Sequence, residues 1–410
     1  MIVFESISIA IDSIRLNKLR AFLTLLSICI GVFAIIVAIT LVKSINNTVT
    51  TQMAELGENT FSIYRMPKIQ FGAHTWRKYA GRKRIIYSQV QDFKKNMMLA
   101  SSVSAMSTSS NHTLKTSISE TNPDVSLIGT DASYFETNNI SIADGRAFID
   151  DDITFNRNVT IIGNDVVQLV FPNSDPIGKD IIIGKQIYSV IGILETKGAV
   201  LGRSQDNVAI IPITQFLKYY STRWEESLTI NVKATSRDML MPTIDEAIGI
   251  LRGLREDQPW ELSSFELETN ETIALQFAGL TGYLSLFGFI TGFIALFAAG
   301  IGIMNIMLVT IKERTREIGI RKAVGAKKSW IMSQFIIETI TLCQFGGVLG
   351  IILGLSLSYL FGNLLGLTLV VPFDWILYSL IICTFLGLIF GAYPAWKAAN
   401  LDPIEALRYE

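Results

Sequence analysis

Four long apolar runs set the pattern of the chain, at residues 21–42, 282–310, 331–361 and 375–396. Each supplies the roughly 20 residues that a helix needs to cross a ~30 Å hydrocarbon core. Between the first two, residues 43–273 turn polar and are numerous enough to enclose a core of their own. The pattern therefore predicts an α-helical membrane protein with four transmembrane helices plus a large extracytoplasmic α+β domain inserted between helices 1 and 2.

Within the polar stretch, β-type runs fall at residues 60–64, 159–162, 180–183, 188–193, 207–212 and 227–233. Helical spacing appears at 87–99 and at 238–254, where Ile244, Ile248 and Leu251 share a face. Turn signals such as Asp144-Gly145 punctuate the middle. This predicts two subdomains, with a mostly β insertion at about 130–220. Past Trp260 the pattern turns helical through Thr272, Phe277 and Tyr283 and runs unbroken into the second span, predicting a stalk continuous with it over 274–310. Ahead of the first span, Phe4, Ile7, Ile11 and Ile14 alternate with Glu5, Ser8, Asp12 and Arg15. That predicts a cytoplasmic amphipathic helix over 1–20, its Ile face in the headgroup boundary.

Charge orients these elements, because Lys and Arg in short flanks resist translocation. Arg15, Lys18 and Arg20 precede the first span, and Lys312, Arg314, Arg316, Arg321, Lys322, Lys327 and Lys328 crowd the segment 311–330, opposed by Glu313 and Glu317. The loop 362–374 has neither Lys nor Arg, and the tail 397–410 carries Lys397 and Arg408. Both termini are thus expected in the cytoplasm and the large domain in the periplasm. Arg82, Lys83 and Arg84 do not oppose this, since long domains translocate regardless of charge.

A net charge of -1 excludes a generally basic chain, so no nucleic acid is expected as a partner. Cys29, Cys343 and Cys383 all lie in apolar runs, which leaves the polar stretch without a thiol for a disulfide. His74 and His112 have no ligand-spaced Cys or His nearby, so no metal site is assigned. The stretch 71–84, with Trp76, Tyr79 and Arg82, reads as a solvated loop, with contact to cargo or a periplasmic partner as the other reading. Asp150, Asp151 and Asp152 read as a solvated turn, against the alternative of a membrane-tethered enzyme, since they show no nucleophile–base pairing. Glu338 reads either as a buried contact between spans or as a residue snorkelling to the inner interface, and Asn305 as an interhelical hydrogen bond. Glycines four apart, 288 with 292, 346 with 350 and 354, and 387 with 391, form ridges for close helix packing or dimerisation.

The segment with the most chemistry is GIGIMNIMLVTIKERTREIGIRKAVGAKKSWIMSQFIIE, residues 300–338, where Ile318, Ile320 and Val324 are embedded among cations. Such a segment suits a short helix in the headgroup plane, its Ile and Val facing one partner and its cations facing anionic lipid or an acidic protein groove. Topological anchoring by positive charge is the alternative, and composition leaves both open.

The run ERTREIGIRKAVGAKKSWIMSQFIIE resembles the signature of the MacB-like/FtsX-like permease family. Similar to that family too are the ends, ESISIAIDSIRLNKLRAFLTLLSICIGV and GAYPAWKAANLDPIEALRYE, and DGRAFIDDD and DPIGKDIIIGKQIYSVIGI between them. The resemblance implies a permease subunit of an ATP-driven ABC transporter working by mechanotransmission, not an enzyme, with a cytoplasmic coupling helix docking on the ATPase. Carried onto this chain, the ATPase-coupling residues are Glu313, Arg314, Thr315, Arg316, Glu317, Ile318, Gly319, Ile320, Arg321, Lys322, Gly325 and Ala326.

Some members carry a fused ATPase, but these 410 residues hold no GxxxxGK[ST] loop. ATP and Mg are therefore expected on a separate ATPase subunit, with no cofactor bound directly. The further partners implied are a second permease copy or a sister permease, the lipid bilayer, a periplasmic adaptor and an outer-membrane channel. The implied location is the bacterial inner membrane and the implied cargo an antimicrobial, peptide, toxin or lipoprotein. The competing reading is an FtsX-like transmembrane signalling protein that regulates cell-envelope hydrolases. On the coupling reading, reversing charge at Arg316, Arg321 and Lys322 is expected to abolish ATPase association.

Overall fold

The computed structural model describes residues 18–55, 59–67, 79, 81–117, 119–172, 174–200, 203–221 and 227–408. The expected amphipathic helix ahead of the first span, and most of the stretch 71–84 with His74 and Trp76, lie outside them. The described elements run α1 (Lys18–Glu55), β1 (Thr60–Tyr64), α2 (Tyr87–Asn96), β2 (Ala100–His112), β3 (Leu114–Lys115), β4 (Val125–Thr130), α3 (Tyr134–Thr137), β5 (Ile142–Gly145), α4 (Asp150–Thr154), β6 (Val159–Ile162), α5 (Asn164–Val170), β7 (Asp180–Ile183) and β8 (Gln186–Leu194). They continue β9 (Ala199–Val200), β10 (Arg203–Ser204), β11 (Val208–Pro212), α6 (Ile213–Tyr219), β12 (Thr229–Ala234), α7 (Leu240–Arg255), β13 (Glu266–Thr269), α8 (Asn270–Glu313), α9 (Thr315–Ala323), α10 (Lys328–Leu365), α11 (Phe373–Ala399) and α12 (Pro403–Arg408).

The chain divides into two compact units, residues 48–277 and residues 1–47 with 278–410. The first is built on an 11-stranded mixed sheet in the order β13-β1-β12-β2-β4-β11-β6-β8-β7-β3, with β5 added on β8. Its centre is buried on both faces: every residue of β6 (VTII) and of β11 (VAIIP) is inside, which is why these strands read as apolar runs broken only by Thr160. Further out, β8 alternates, with Tyr188, Val190 and Leu194 inside and Ile187 exposed. β11 pairs in parallel with β4 and β6 with β8, and the remaining ladders of the sheet are antiparallel. One sheet thus runs through the stretch expected as a β insertion, with two buried clusters along it: one holds Phe61, Phe93, Ile161 and Leu251, the other Leu127, Ile162, Tyr188 and Ile211.

Three local expectations change. A strand, β13, precedes the long helix, so helix starts at Asn270 and not soon after Trp260. The helix from Tyr87 stops at Asn96 because Met97 is extended. The third change is at the triple aspartate, which is not a solvated turn: Asp152 is fully buried. Its carboxylate accepts Arg146 Nη1 at 2.7 Å, Arg157 Nη1 at 3.3 Å and the Ile149 N–H at 3.1 Å, tying off the first turn of α4. Burial raises this carboxyl, but the Arg146 bond, the Ile149 N–H and Arg157 outweigh it and hold it below the usual carboxylate value. A depressed value stabilises the fold above the unfolded value of about 3.9, and the benefit disappears as pH falls through the folded one. Because Arg146 and Arg157 are half exposed, Asp152→Asn should cost about 1–3 kcal/mol at pH 7. Urea unfolding of the solubilised chain should show that gap at pH 7 and its narrowing as pH falls through the folded value of Asp152.

The second unit holds helices α10 and α11 and most of α1 and of α8, and these four are long and apolar enough to cross a membrane. Their packing uses every glycine of the three ridges. A Cβ at Gly350 would meet Cys29 O at 2.7 Å and Phe33 N at 3.1 Å, while Gly346 and Gly354 face Ile28 and Ile36 on the same helix, α1. Gly387 and Gly391 face Ile340 and Thr339 of α10, and Gly288 and Gly292 face Ala38 and Ile35. The ridges therefore serve contacts within the chain, with backbones close enough that no side chain fits between them. At one end, Lys43 pairs with Asp374 at 2.6 Å, and the Val370 N–H donates to Ser44 Oγ at 3.0 Å, fastening residues 362–374 to the first helix.

Candidate coupling site

The cation-rich segment folds as a helix, a turn and a second helix start. α8 ends at Glu313, Arg314 is non-helical with ψ 13°, and α9 begins at Thr315, whose hydroxyl donates back to Ile311 O at 3.0 Å and Lys312 O at 2.8 Å. These bonds turn the chain without leaving the last carbonyls of α8 unmet. α9 ends in a tight turn, where the Gly325 N–H donates to Lys322 O and the Ala326 N–H to Arg321 O, both at 3.0 Å. Gly325 has φ +95°, a conformation open to glycine and strained for other residues, which accounts for the VGA spacing after the helix.

Burial sorts the predicted residues into two groups. Thr315, Ile318 and Gly319 lie one helical turn apart on the inner side of α9, and Ile318, 2% exposed, joins the core of the membrane unit with Ile311, Ile331, Ala398 and Ala399. They shape the helix and cannot touch a partner. Glu313, Arg316, Glu317, Ile320, Arg321 and Gly325 are exposed and Ala326 is half-buried, with Val324 beside them at 85% exposure. The expectation that the embedded apolar residues share one face is therefore corrected: Ile318 is core, whereas Ile320 and Val324 point outward among the cations.

Several of those cations are committed within the chain. Lys322 Nζ donates to Leu401 O at 2.6 Å and Lys328 Nζ to Asn400 Oδ1 at 3.1 Å, so both hold the segment leading to α12. Burial lowers the Lys322 ammonium below the usual lysine value, Lys328 lowers it further, and Asp402 opposes them. Arg321 Nη1 donates to Gln334 Oε1 at 2.9 Å on α10. Arg314 lies 3.8 Å from Glu338, which is 1% exposed. Of the two readings of Glu338 the structure selects the buried contact: the carboxylate bridges the break between α8 and α9 to the third span. The sequence signal was available, since an acid ten residues past Lys328 follows a dense cationic run. Among the described residues no group of three or more metal-ligating side chains is found.

Residues 21–247 match the MacB-like periplasmic core domain, and residues 269–403, which take in this whole site, match the FtsX-like permease C-terminal domain. The chain belongs to the MacB-like/FtsX-like family of ABC transporter permeases. A macrolide export ATP-binding/permease protein MacB of Bdellovibrio bacteriovorus is 31% identical over 402 residues, which are 97% of this chain and 61% of that protein. The chain thus spans less than two thirds of that relative. An uncharacterized ABC transporter permease of Bacillus subtilis, YknZ, is 29% identical over 411 residues, covering 100% of both. The crystal structure of the periplasmic region of MacB from Actinobacillus actinomycetemcomitans aligns with 55% of this MacB-like chain and 95% of its own, at 19% identity and a TM-score of 0.45.

Proposed function

We propose that this MacB-like permease is the membrane subunit of an ATP-driven transporter in the bacterial inner membrane, and that it couples ATP hydrolysis on a separate ATPase subunit to movement of the sheet domain in the periplasm. The observation that carries this reading is the outward face of α9, where Ile320 and Val324 are exposed among Arg316, Arg321 and Lys327. An apolar centre ringed by cations is the composition of a docking site for an acidic protein groove. ATP and Mg reside on the ATPase, and the permease binds no cofactor itself. Work is done because the ATPase binds two permease conformations with different free energy. The long helix Asn270–Glu313 begins beside β13 and ends one residue before α9, giving a continuous path along which that difference passes.

A second copy or a sister permease completes the complex. A periplasmic adaptor and an outer-membrane channel extend it, and the cargo is an antimicrobial, peptide, toxin or lipoprotein. We also read the sheet domain as two subdomains, one around each buried cluster. Regulation of envelope hydrolases remains the competing output, and the match of residues 21–247 to the MacB-like core favours export.

Both termini then lie in the cytoplasm. Single cysteines at the exposed positions Lys327 and Lys185 test this, since the three natural cysteines are buried. A membrane-impermeant maleimide added to intact spheroplasts should label position 185 and spare 327 until the membrane is broken. Equal labelling of both in intact spheroplasts would overturn the orientation.

A further inference from the structure

α12 is bonded to the coupling helix and not left as a loose tail. Lys322 and Lys328 hold Leu401 O and Asn400 Oδ1, at 2.6 and 3.1 Å, while Asp402 Oδ1 accepts the Ile404 N–H at 2.9 Å and caps the short helix that Pro403 starts. Ala406, 2% exposed, turns inward. Ile404 does the opposite. It is 77% exposed, on a helix packed along α9, whose own Val324 is 85% exposed.

We infer that the ATPase docks on a platform of two packed helices, α9 and α12, with Ile404 of α12 and Val324 at the end of α9 as its apolar anchors. This rests on the reading of α9 as the coupling helix and adds the C-terminal helix to it. Two observations point to a protein as the occupant and not the lipid surface. The exposed acids Asp402 and Glu405 flank Ile404, and acids are repelled by the anionic headgroups that would otherwise attract the cations of α9. Lys322 and Lys328 donate to Leu401 and Asn400, so two cations of this segment hold α12 in place and are not free for headgroups. A mixed-charge rim around exposed apolar side chains matches the anatomy of protein interfaces, where a few desolvated residues carry most of the affinity.

The test uses the tagged full-length chain in its native membranes, with a photo-crosslinking amino acid at 404 or at 324, and mass spectrometry of the adducts for peptides of a GxxxxGK[ST] protein. Adducts to that protein from both positions are expected. Adducts from 324 alone would overturn the platform and leave the coupling helix standing. Adducts from 404 alone would remove α9 from the dock and overturn the platform as well, and adducts from neither would overturn the reading on which it rests. In parallel, Ile404→Asp should lower the amount of that ATPase recovered with the purified chain by roughly tenfold, as expected for loss of one interface anchor. Recovery equal to the parent chain would count against the anchor, and the exposure of Ile404 keeps the variant folded.

Discussion

Arg255→Ala should destabilise the sheet domain by about 3–5 kcal/mol, a large part of the 5–15 kcal/mol that holds a typical domain together. Arg255 closes the last turn of α7 and is 1% exposed. Its Nε donates to Ser264 Oγ at 2.6 Å, Nη2 to Lys83 O at 2.6 Å and Nη1 to Arg84 O at 3.2 Å, and Lys83 Nζ answers by donating to Arg255 O at 3.2 Å. Asp257 accepts the Ser264 N–H and hydroxyl at 3.0 and 2.9 Å, setting a carboxylate behind the serine. Burial pulls the guanidinium below its ordinary value, Asp257 pushes it back up, and Arg82 and Arg65 oppose it.

One planar fork therefore joins three pieces of chain: α7, the strand-like approach to Ile85, and the loop before β13. Truncation leaves the carbonyls of Lys83 and Arg84 and the hydroxyl of Ser264 without their donor inside the domain, which costs about 1–3 kcal/mol for each group that water does not reach. Arg255→Lys should recover less than half of the loss, because an ammonium cannot span directions fixed by a guanidinium. Arg255→Met should also fail, since the vacated carbonyls still need donors. Hydrogen exchange of the solubilised chain, read at α7 and β1, measures the effect. An Arg255→Met protein as protected as the parent would refute it.

Arg255 also shows where the sequence was legible and where it was not. The face Ile244, Ile248, Leu251 was readable as one side of a helix; the structure buries Ile244 and Leu251 with Ala247 and leaves Ile248 half-buried, and Arg255 stands four residues past Leu251 on the buried side. Its position, not its residue type, was the signal. The membrane helices were legible because lipid allows few alternatives to a helix whose backbone bonds are all internal, and β6 and β11 because burial on both faces makes them almost wholly apolar, Thr160 being the exception, with its hydroxyl donating to Ile210 O at 2.9 Å. β2 was missed. Its sequence ASSVSAMSTSSNH reads as a polar loop, yet it is a 13-residue strand between β12 and β4. Small hydroxyl residues fit there because the surrounding helices come close: Ser102, Ser104 and Ser107 are buried, and Thr137 donates to Ser102 Oγ at 3.1 Å.

At the candidate coupling site the cation-rich segment was legible as a helix and turn between two spans, and which of its side chains are buried was not. Spacing alone places Thr315, Ile318, Gly319 and Lys322 on one side of a helix, but which side faces the core is decided with Ile331 and the Ala398–Ala399 pair, the latter about 80 residues off in sequence. Lys322 looked like a docking cation and proves to be a brace for α12. Reversing charge at Arg316, Arg321 and Lys322 together would consequently break the brace and the Arg321–Gln334 bond along with any dock, and its failure to bind would say nothing about contact.

A pair that leaves those bonds intact is the sharper test: Arg316→Glu with Val324→Asp. Both side chains are exposed, and neither belongs to the buried core of the membrane unit. The unfolding temperature of the solubilised chain should change little: both side chains are on the surface, and at the C-cap position of Val324 the capping bond is made by the backbone N–H, which the substitution keeps, so the cost is about 0.5–1 kcal/mol. Docking is a different matter. Reversing one rim charge costs electrostatic complementarity, and placing a carboxylate at the exposed apolar centre forces its desolvation against a partner surface. Together they should remove about 2–4 kcal/mol, on the order of 30- to 1,000-fold in affinity for the ATPase. Measured as ATPase recovered with the purified chain and as ATP turnover of the recovered complex, the pair should lose nearly all of both. Full recovery with full turnover would mean that α9 is only a topological anchor, the reading that its composition had left open. Full recovery with lost turnover would place the docking contacts elsewhere and keep α9 as the element through which the stroke passes.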